Sequence, residues 1–333
     1  MMLNSMKDKR ILITGATGLI GSHLVKKCLA EGAYVIALGR KIDKLTDVFA
    51  DEKDLEYLQL CAGNIIEGIP DNVGFVDYIF HAASPISGME IRTQPVNTIE
   101  ANLFGVRNCA EYLKKQKEVS KIQGRLIVFS SATVYGNFDM KMNRRADEEE
   151  TGLADDLNSA NAPYSESKRM IEVLANAYYI QYGVEIVIAR IGYVYGYTKM
   201  RPDTAFYEFI KKAISGENVV MNNSGMGRRD NIYVEDVVDG LMMIAQNGKL
   251  GEAYNISSNG EGNNFRAMDE IAGIIVSNVN NLKQDTEIKL CVKPFEGERK
   301  PGLMLNNTKL KSLGWKLNYN LEDGIRETIK CYL

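Results

Sequence analysis

Short β-branched runs alternate with longer amphipathic stretches through the first half of the chain. Apolar residues bunch at Arg10–Thr14, Tyr34–Leu38, Val76–His81, Arg125–Ser130 and Glu185–Arg190, runs too short for helices and rich in Ile, Val and Leu, which predicts strands. Between them, Gly21–Glu31, Thr98–Lys115 and Tyr164–Tyr182 repeat apolar residues at three- and four-residue intervals, which predicts helices. This pattern marks no strand between Leu38 and Val76. Strand and helix in alternation imply an α/β protein built on a doubly wound parallel sheet with right-handed crossovers. Beyond Gly196 the pattern loosens: a helix at Thr204–Ser215, a Gly/Asn-rich loop at Asn222–Arg229, and a strand-helix unit at Asn231–Gln246. A strand at Ala253–Ser257, a helix at Ala267–Asn278 and a closing helix at Leu321–Tyr332 follow.

At the first strand-to-helix junction, Gly15, Gly18 and Gly21 stand three apart in Ile11-Leu12-Ile13-Thr14-Gly15-Ala16-Thr17-Gly18-Leu19-Ile20-Gly21. In such a βαβ unit the first glycine permits a tight turn, the second lets backbone approach a pyrophosphate at the helix N-terminus, and the third lets helix and strand pack closely. This predicts a Rossmann-type dinucleotide-binding domain over residues 1–196, with 230–257 returning to it. Residues 197–229 and 258–333 are then a smaller C-terminal α/β substrate lobe. Gly15, Thr17, Gly18, Leu19, Ile20 and Gly21 are candidate cofactor contacts. At the end of the second strand a carboxylate would read the ribose 2′-hydroxyl of NAD; here Gly39-Arg40 stand instead, which favours NADP over NAD within NAD(P). Arg40 as a solvated charge, or stacked on adenine, is the alternative.

Composition narrows the chemistry. The 333 residues carry 40 Lys+Arg against 43 Asp+Glu, a net charge of −3, so no whole-chain field attracts a polyanion and a nucleic-acid partner is not expected. Hydrophobic residues make up 45% and charged residues 25%, with mean hydropathy −0.20, values of a globular protein with no expected membrane partner. Met1–Arg10 is polar and basic and lacks the apolar segment of a secretory signal, so the expected location is cytoplasmic. Five cysteines (Cys28, Cys61, Cys109, Cys291, Cys331) show no CxxC spacing and read as reduced, structural thiols. With only His23 and His81, a His-rich metal site or a Ser-His-Asp hydrolase has almost no material, and no metal is expected. The acidic run Asp147–Glu150 reads as a solvated loop, and His81 as a satisfied strand-end histidine.

Reactive groups cluster at two places. Phe129-Ser130-Ser131-Ala132-Thr133-Val134-Tyr135-Gly136 ends a strand, and Tyr164-Ser165-Glu166-Ser167-Lys168 opens a helix with Tyr164 and Lys168 four apart on one face. An ammonium beside a phenol favours phenolate, turning tyrosine into a base, while a serine hydroxyl on the neighbouring strand end holds the reacting oxygen.

With the glycine motif upstream, these segments resemble the extended short-chain dehydrogenase/reductase family, in its NAD-dependent epimerase/dehydratase branch acting on nucleotide sugars. Ser-Ser-Ala-Thr-Val-Tyr-Gly, Arg229-Asp230-Asn231-Ile232-Tyr233-Val234-Glu235-Asp236-Val237 and Leu313-Gly314-Trp315 all resemble family segments. The resemblance implies Ser131, Tyr164 and Lys168 as the catalytic trio, with Lys168 also touching the cofactor. It implies Asn64, Ile65, Ala82, Ala83, Ser84 and Asn102 along the cofactor, after His81. For the substrate it implies Ser84, Thr133, Tyr193, Arg229 and Arg299, with Arg229 reaching the diphosphate. It also implies a homodimer in which the helices Thr98–Lys115 and Tyr164–Tyr182 of two copies pack as four.

Departures select the reaction. The 4,6-dehydratases resembled here carry Asp-Glu after the catalytic hydroxyl residue, whereas Ala132-Thr133 transfers no proton at neutral pH, so dehydration is disfavoured. Tyr193 stands where relatives have a phosphate-holding asparagine, and Gly63-Asn64 stand where they have Gly-Asp after the third strand. The reading is a nucleotide-sugar epimerase working at carbon 4. The alternatives are an NADPH-dependent 4-ketoreductase and, from another class, a non-catalytic dinucleotide sensor, which is expected to lose part of the trio.

Overall fold

A computed structural model describes residues 6–53, 55–85, 87–136, 143–150, 152–221, 227–283, 287–292 and 301–333. Its centre is a seven-stranded sheet formed by β1 (Arg10–Thr14), β2 (Tyr34–Gly39), β3 (Leu58–Ala62), β4 (Tyr78–His81), β5 (Arg125–Ser131), β6 (Glu185–Ile191) and β7 (Ala253–Ile256). The order is β7-β6-β5-β4-β1-β2-β3, every pairing parallel. The fold is the expected Rossmann-type doubly wound α/β architecture, with its order reversing between β1 and β4, where such sheets open a crevice beyond their carboxyl ends.

Alternation along the strands builds the two cores. Ile11, Ile13, Val35, Ala37, Phe80, Ile127 and Phe129 point to one face, beneath α1 (Leu19–Ala30) and the helix Val234–Asn247. Leu12, Ile36, Leu38, Ile79, Leu126 and Val128 point to the other, beneath α2 (Pro95–Ser120) and α3 (Ala162–Tyr182). Strands buried on both faces read as continuous apolar runs, which is why these were visible in sequence.

The structure adds and corrects several elements. β3 was absent from the hydrophobic pattern, although the Gly63-Asn64 comparison implied a strand before it. α1 begins at Leu19 rather than Gly21, capped by the extended backbone of Gly18. The strand before the helix Val234–Asn247 spans Arg228–Tyr233, taking in two residues assigned to a loop, and it pairs with Tyr193–Tyr195 and Phe265–Ala267 rather than joining the main sheet. β7 does return to the main sheet. Glu148 in the acidic run is half-buried, accepting the Asn255 N–H at 2.8 Å, and burial raises its carboxyl above the usual range. Cys28, Cys61 and Cys109 are buried thiols as expected, whereas Cys291 and Cys331 are exposed; all five are free. Trp315 is buried, donating its indole N–H to the Asp236 carbonyl at 2.9 Å, and the Asp236 carboxylate accepts the Asn318 and Tyr319 N–H groups. Among the described residues, no helix is long and apolar enough to cross a membrane.

The glycine turn is a packing requirement. Gly15 adopts φ +65°, and its Cα side lies against the Ala82-Ala83 backbone, where a Cβ would stand 2.8 Å from Ala83. A Cβ on Gly21 would stand 2.3 Å from the Gly15 carbonyl oxygen. Gly21→Ala therefore forces α1 away from β1, and the expected cost is about 1–3 kcal/mol, read as a lowered urea midpoint with unchanged m-value.

Candidate active site

β1, β4 and β5 all end at the crevice, and their last residues are joined by polar contacts. The Thr14 hydroxyl bonds His81 Nδ1 at 2.8 Å and accepts the Ala83 N–H at 3.2 Å, fixing the turn after β4 to the glycine turn after β1. Burial, with the Lys168 ammonium nearby, pushes His81 down to about 3, so it stays neutral. Asn102 in α2 accepts the Ser84 hydroxyl at 2.7 Å and donates to the Ser167 hydroxyl in α3 at 2.8 Å. One amide thus ties the β4 turn to the helix that carries Tyr164 and Lys168.

The trio expected from sequence is brought together. The Ser131 hydroxyl lies beside the Tyr164 phenol and favours its charged form. The Lys168 ammonium lies 5.6 Å from the centre of the Tyr164 ring and donates to the Phe129 carbonyl at 2.8 Å. The expected electrostatics do not hold in the same form: burial raises the Tyr164 phenol above its ordinary value, with the Ser131 hydroxyl opposing, and Lys168 bonds a carbonyl rather than the phenol oxygen. Desolvation at 4% exposure instead lowers Lys168 to about 7, the Glu172 carboxylate one turn on working against it.

Other candidate residues fall in different places. Thr133 sits in the turn after Ser131, its N–H donated to the Ser131 oxygen at 3.2 Å. Its own hydroxyl oxygen is buried with no hydrogen-bond partner among the described residues. Arg229 lies against the ring of Tyr193, 5.0 Å from its centre, because Tyr193 pairs with Asn231 in the lobe sheet. Arg40 is exposed just past β2. The Asn64 side chain is engaged locally, donating to Glu67 at 3.0 Å and accepting the Ile66 N–H at 3.3 Å, while Ile65 is buried. Tyr135 is fully buried and donates to Asn255 at 2.7 Å, so it packs. Arg299 lies outside the described residues. Sequence reasoning missed Thr14, Ser167 and the pair Glu172–Arg190; only Glu172, eight residues past Tyr164 on the same helical face, left a periodic signal.

A dinucleotide fits this crevice. Gly18 is exposed and gives α1 no side-chain cap, so the first-turn N–H groups of Leu19, Ile20 and Gly21 face the opening, where a pyrophosphate finds both donors and the positive end of the helix. Comparison with known proteins agrees with this geometry: residues 11–257 match the NAD dependent epimerase/dehydratase family. The chain belongs to that family. UDP-glucuronic acid decarboxylase 6 of Arabidopsis thaliana is 30% identical over 324 residues, covering 96% of this chain and 87% of its own. The dTDP-glucose 4,6-dehydratase of Bacillus anthracis, solved with NAD, matches at TM-score 0.75 and 25% identity, covering 97% of this chain and 96% of that one. The UDP-glucose 4-epimerase of Thermotoga maritima, solved with UDP-glucose, shares the fold at TM-score 0.76 and 21% identity, covering 97% and 98%. As a family member the chain is an NAD(P)-dependent enzyme.

The lowered Lys168 makes stability depend on pH. Between its folded value near 7 and its ordinary 10.5 the unfolded chain binds the extra proton, so folding stability rises with pH across that window and the full cost of burying the charge is felt below it. Lys168→Met removes this dependence. In thermal melts, wild type is expected to gain on the variant steadily from about pH 7 to pH 10.

Proposed function

We propose that this family member is a nucleotide-sugar epimerase that oxidises carbon 4 of the sugar and returns the hydride to the opposite face. The observation that carries the reading is the joined trio Ser131, Tyr164 and Lys168 at the ends of β5 and α3, followed by Ala132-Thr133 with no acid or base. When bound, the nicotinamide supplies the hydride acceptor and donor. Gly15, Thr17, Gly18, Leu19, Ile20 and Gly21 would hold the dinucleotide diphosphate, with Ala82, Ala83, Ser84 and Asn102 along the opposite wall.

The Ser131 hydroxyl holds the sugar O4. Tyr164 takes the O4 proton as the C4–H bond breaks, leaving a 4-keto sugar, and gives the proton back when the hydride returns. Lys168, bonded to the Phe129 carbonyl, holds the helix that carries Tyr164 against the end of β5. Arg229, held against Tyr193, is aimed at the substrate diphosphate, and the free Thr133 hydroxyl at a sugar hydroxyl. Dehydration across carbons 5 and 6 would need a second acid and base. Glu166 is taken by the Asp155 N–H and Arg169, and His81 by Thr14, so neither is free for that work. The Arabidopsis relative favours a second reading, oxidation of a nucleotide-linked hexuronic acid. There the 4-keto acid formed by the same trio loses carbon dioxide without a further protein base.

Two helical faces support a dimer. Val96, Ile99 and Phe104 of α2 and Met170, Val173 and Ile180 of α3 are exposed apolar residues. Two copies packing these faces would bury them as a four-helix layer.

Tyr164→Phe is expected to lower turnover at least about a hundredfold with melting temperature and dinucleotide affinity nearly unchanged. The wild-type enzyme, given nucleotide sugars, is expected to yield the 4-epimer with no net absorbance change at 340 nm. Stoichiometric NADPH consumption would mark the ketoreductase, and carbon dioxide release the decarboxylase. Arg40→Ala is expected to weaken NADP more than NAD in a binding titration; equal losses would mean that Arg40 does not read the 2′-phosphate.

A further inference from the structure

Three successive residues at the end of β5 face three residues of α3 spaced by four, two of the pairs through hydrogen bonds. The Phe129 carbonyl accepts Lys168, the Ser130 hydroxyl donates to Glu172 at 2.5 Å, and the Ser131 hydroxyl meets Tyr164. Tyr164, Lys168 and Glu172 form one stripe of the helix. The first two belong to the proposed chemistry. The third does not touch the crevice: it is 9% exposed, below Lys168 on the core side.

Glu172 is not a simple core contact. Its carboxylate also accepts Arg190 from β6 through Nε at 3.0 and 3.2 Å and Nη2 at 2.8 Å. Arg190 continues to the Tyr135 hydroxyl at 3.0 Å and the Glu148 carbonyl at 2.9 Å. A buried ion pair of this kind is a poor source of net stability, because desolvating two charges offsets most of their attraction. What it supplies is position and charge.

We propose that Glu172 is a positioning residue for the reaction, clamping α3 to the end of β5 through Ser130 and to β6 through Arg190 so that Tyr164 and Lys168 stand against Ser131. This rests on the trio assigned above. Glu172 is the anionic side chain facing Lys168, as Arg190 is the cation that in turn faces Glu172. Tyr164 from the same helix and His81 from β4 face Lys168 as neutral groups. The carboxylate therefore also favours the ammonium over the free amine at a site where burial favours the amine.

The test compares wild type, Glu172→Gln and Glu172→Asp. The Lys168 amine is followed by carbon-13 NMR of lysine-labelled protein, with Lys168→Met to assign the signal, and turnover on nucleotide sugars is followed against pH. Glu172→Gln is expected to lower the Lys168 titration by about one pH unit. It should also cut kcat about tenfold at neutral pH with KM unchanged, and Glu172→Asp should restore the titration but only part of kcat. An unmoved Lys168 titration in Glu172→Gln, or KM rising with kcat intact, overturns the inference. Failure of the wild type to turn over any nucleotide sugar removes the proposed activity, while the NMR arm still decides the role of Glu172. Should Glu172→Gln not fold, Glu172→Asp with Lys168 titrating as in wild type but kcat unchanged overturns the clamp.

Discussion

Burying the amine of Lys168 is the constraint around which the centre of the molecule is built. An ammonium at 4% exposure loses its hydration, and the chain offers it in exchange one acceptor, the Phe129 carbonyl, and the field of the Glu172 carboxylate. The carboxylate is buried in turn and takes Ser130 and Arg190. Arg190, with few of its donors left unmet, reaches Tyr135 and Glu148. Each partner comes from a different segment, so β5, β6, α3 and the turn at 132–135 are locked by directional bonds. Apolar packing alone would tolerate small slips between these segments that a proton transfer does not.

What was legible in the sequence was local. The five early strands and the three long helices announced themselves because strands covered on both faces are continuous apolar runs and their helices carry one apolar stripe. Leu58–Ala62 was not visible to the same pattern: it is an edge strand bonded to β2 alone, with a Gln, two half-buried positions and an exposed end. The small strands Arg144–Ala146 and Leu303–Leu305 have 3 residues each, too few to show a period, and they pair across a long stretch of chain, so only the assembled fold reveals them. The Tyr164–Lys168 spacing was legible for the same local reason. The expectation that Lys168 would acidify the phenol was not met, since burial acts on both groups and the ammonium is turned to a carbonyl. That balance depends on depth in the fold, which spacing does not encode.

The three-stranded sheet of Tyr193–Tyr195, Arg228–Tyr233 and Phe265–Ala267 is anchored by another buried charge. Asp230 is 1% exposed and its carboxylate accepts the Ser257 and Ser258 hydroxyls and the Gly260 and Leu305 N–H groups, the last two at 3.1 Å. Donors from the exit of β7 and from Leu303–Leu305 converge on a single residue of the strand Arg228–Tyr233. Because successive side chains alternate across a strand, fixing Asp230 inward presents Arg229 outward, toward Tyr193. The arginine expected to meet a diphosphate is thus carried by a backbone held at its neighbouring residue rather than by a free loop.

Tyr193 connects these two charge systems. It lies three residues beyond Arg190, and the intervening Gly192 donates its N–H to the Ile256 carbonyl at 3.0 Å, holding this segment to the exit of β7. The stretch 190–195 therefore carries, at one end, the guanidinium that steadies the Tyr164–Lys168 helix and, at the other, the ring against which Arg229 rests. An asparagine at position 193 could hydrogen-bond a substrate directly but could offer Arg229 no face to rest on. With tyrosine there, the contact to the lobe is a cation over an aromatic ring, which tolerates sliding better than a directional hydrogen bond does. The end of the segment that bears Arg190 is rigid and the end that bears Tyr193 adaptable, a division that suits the proposed epimerase, in which a keto sugar would turn over between two hydride transfers with its reacting oxygen kept at Ser131 and Tyr164.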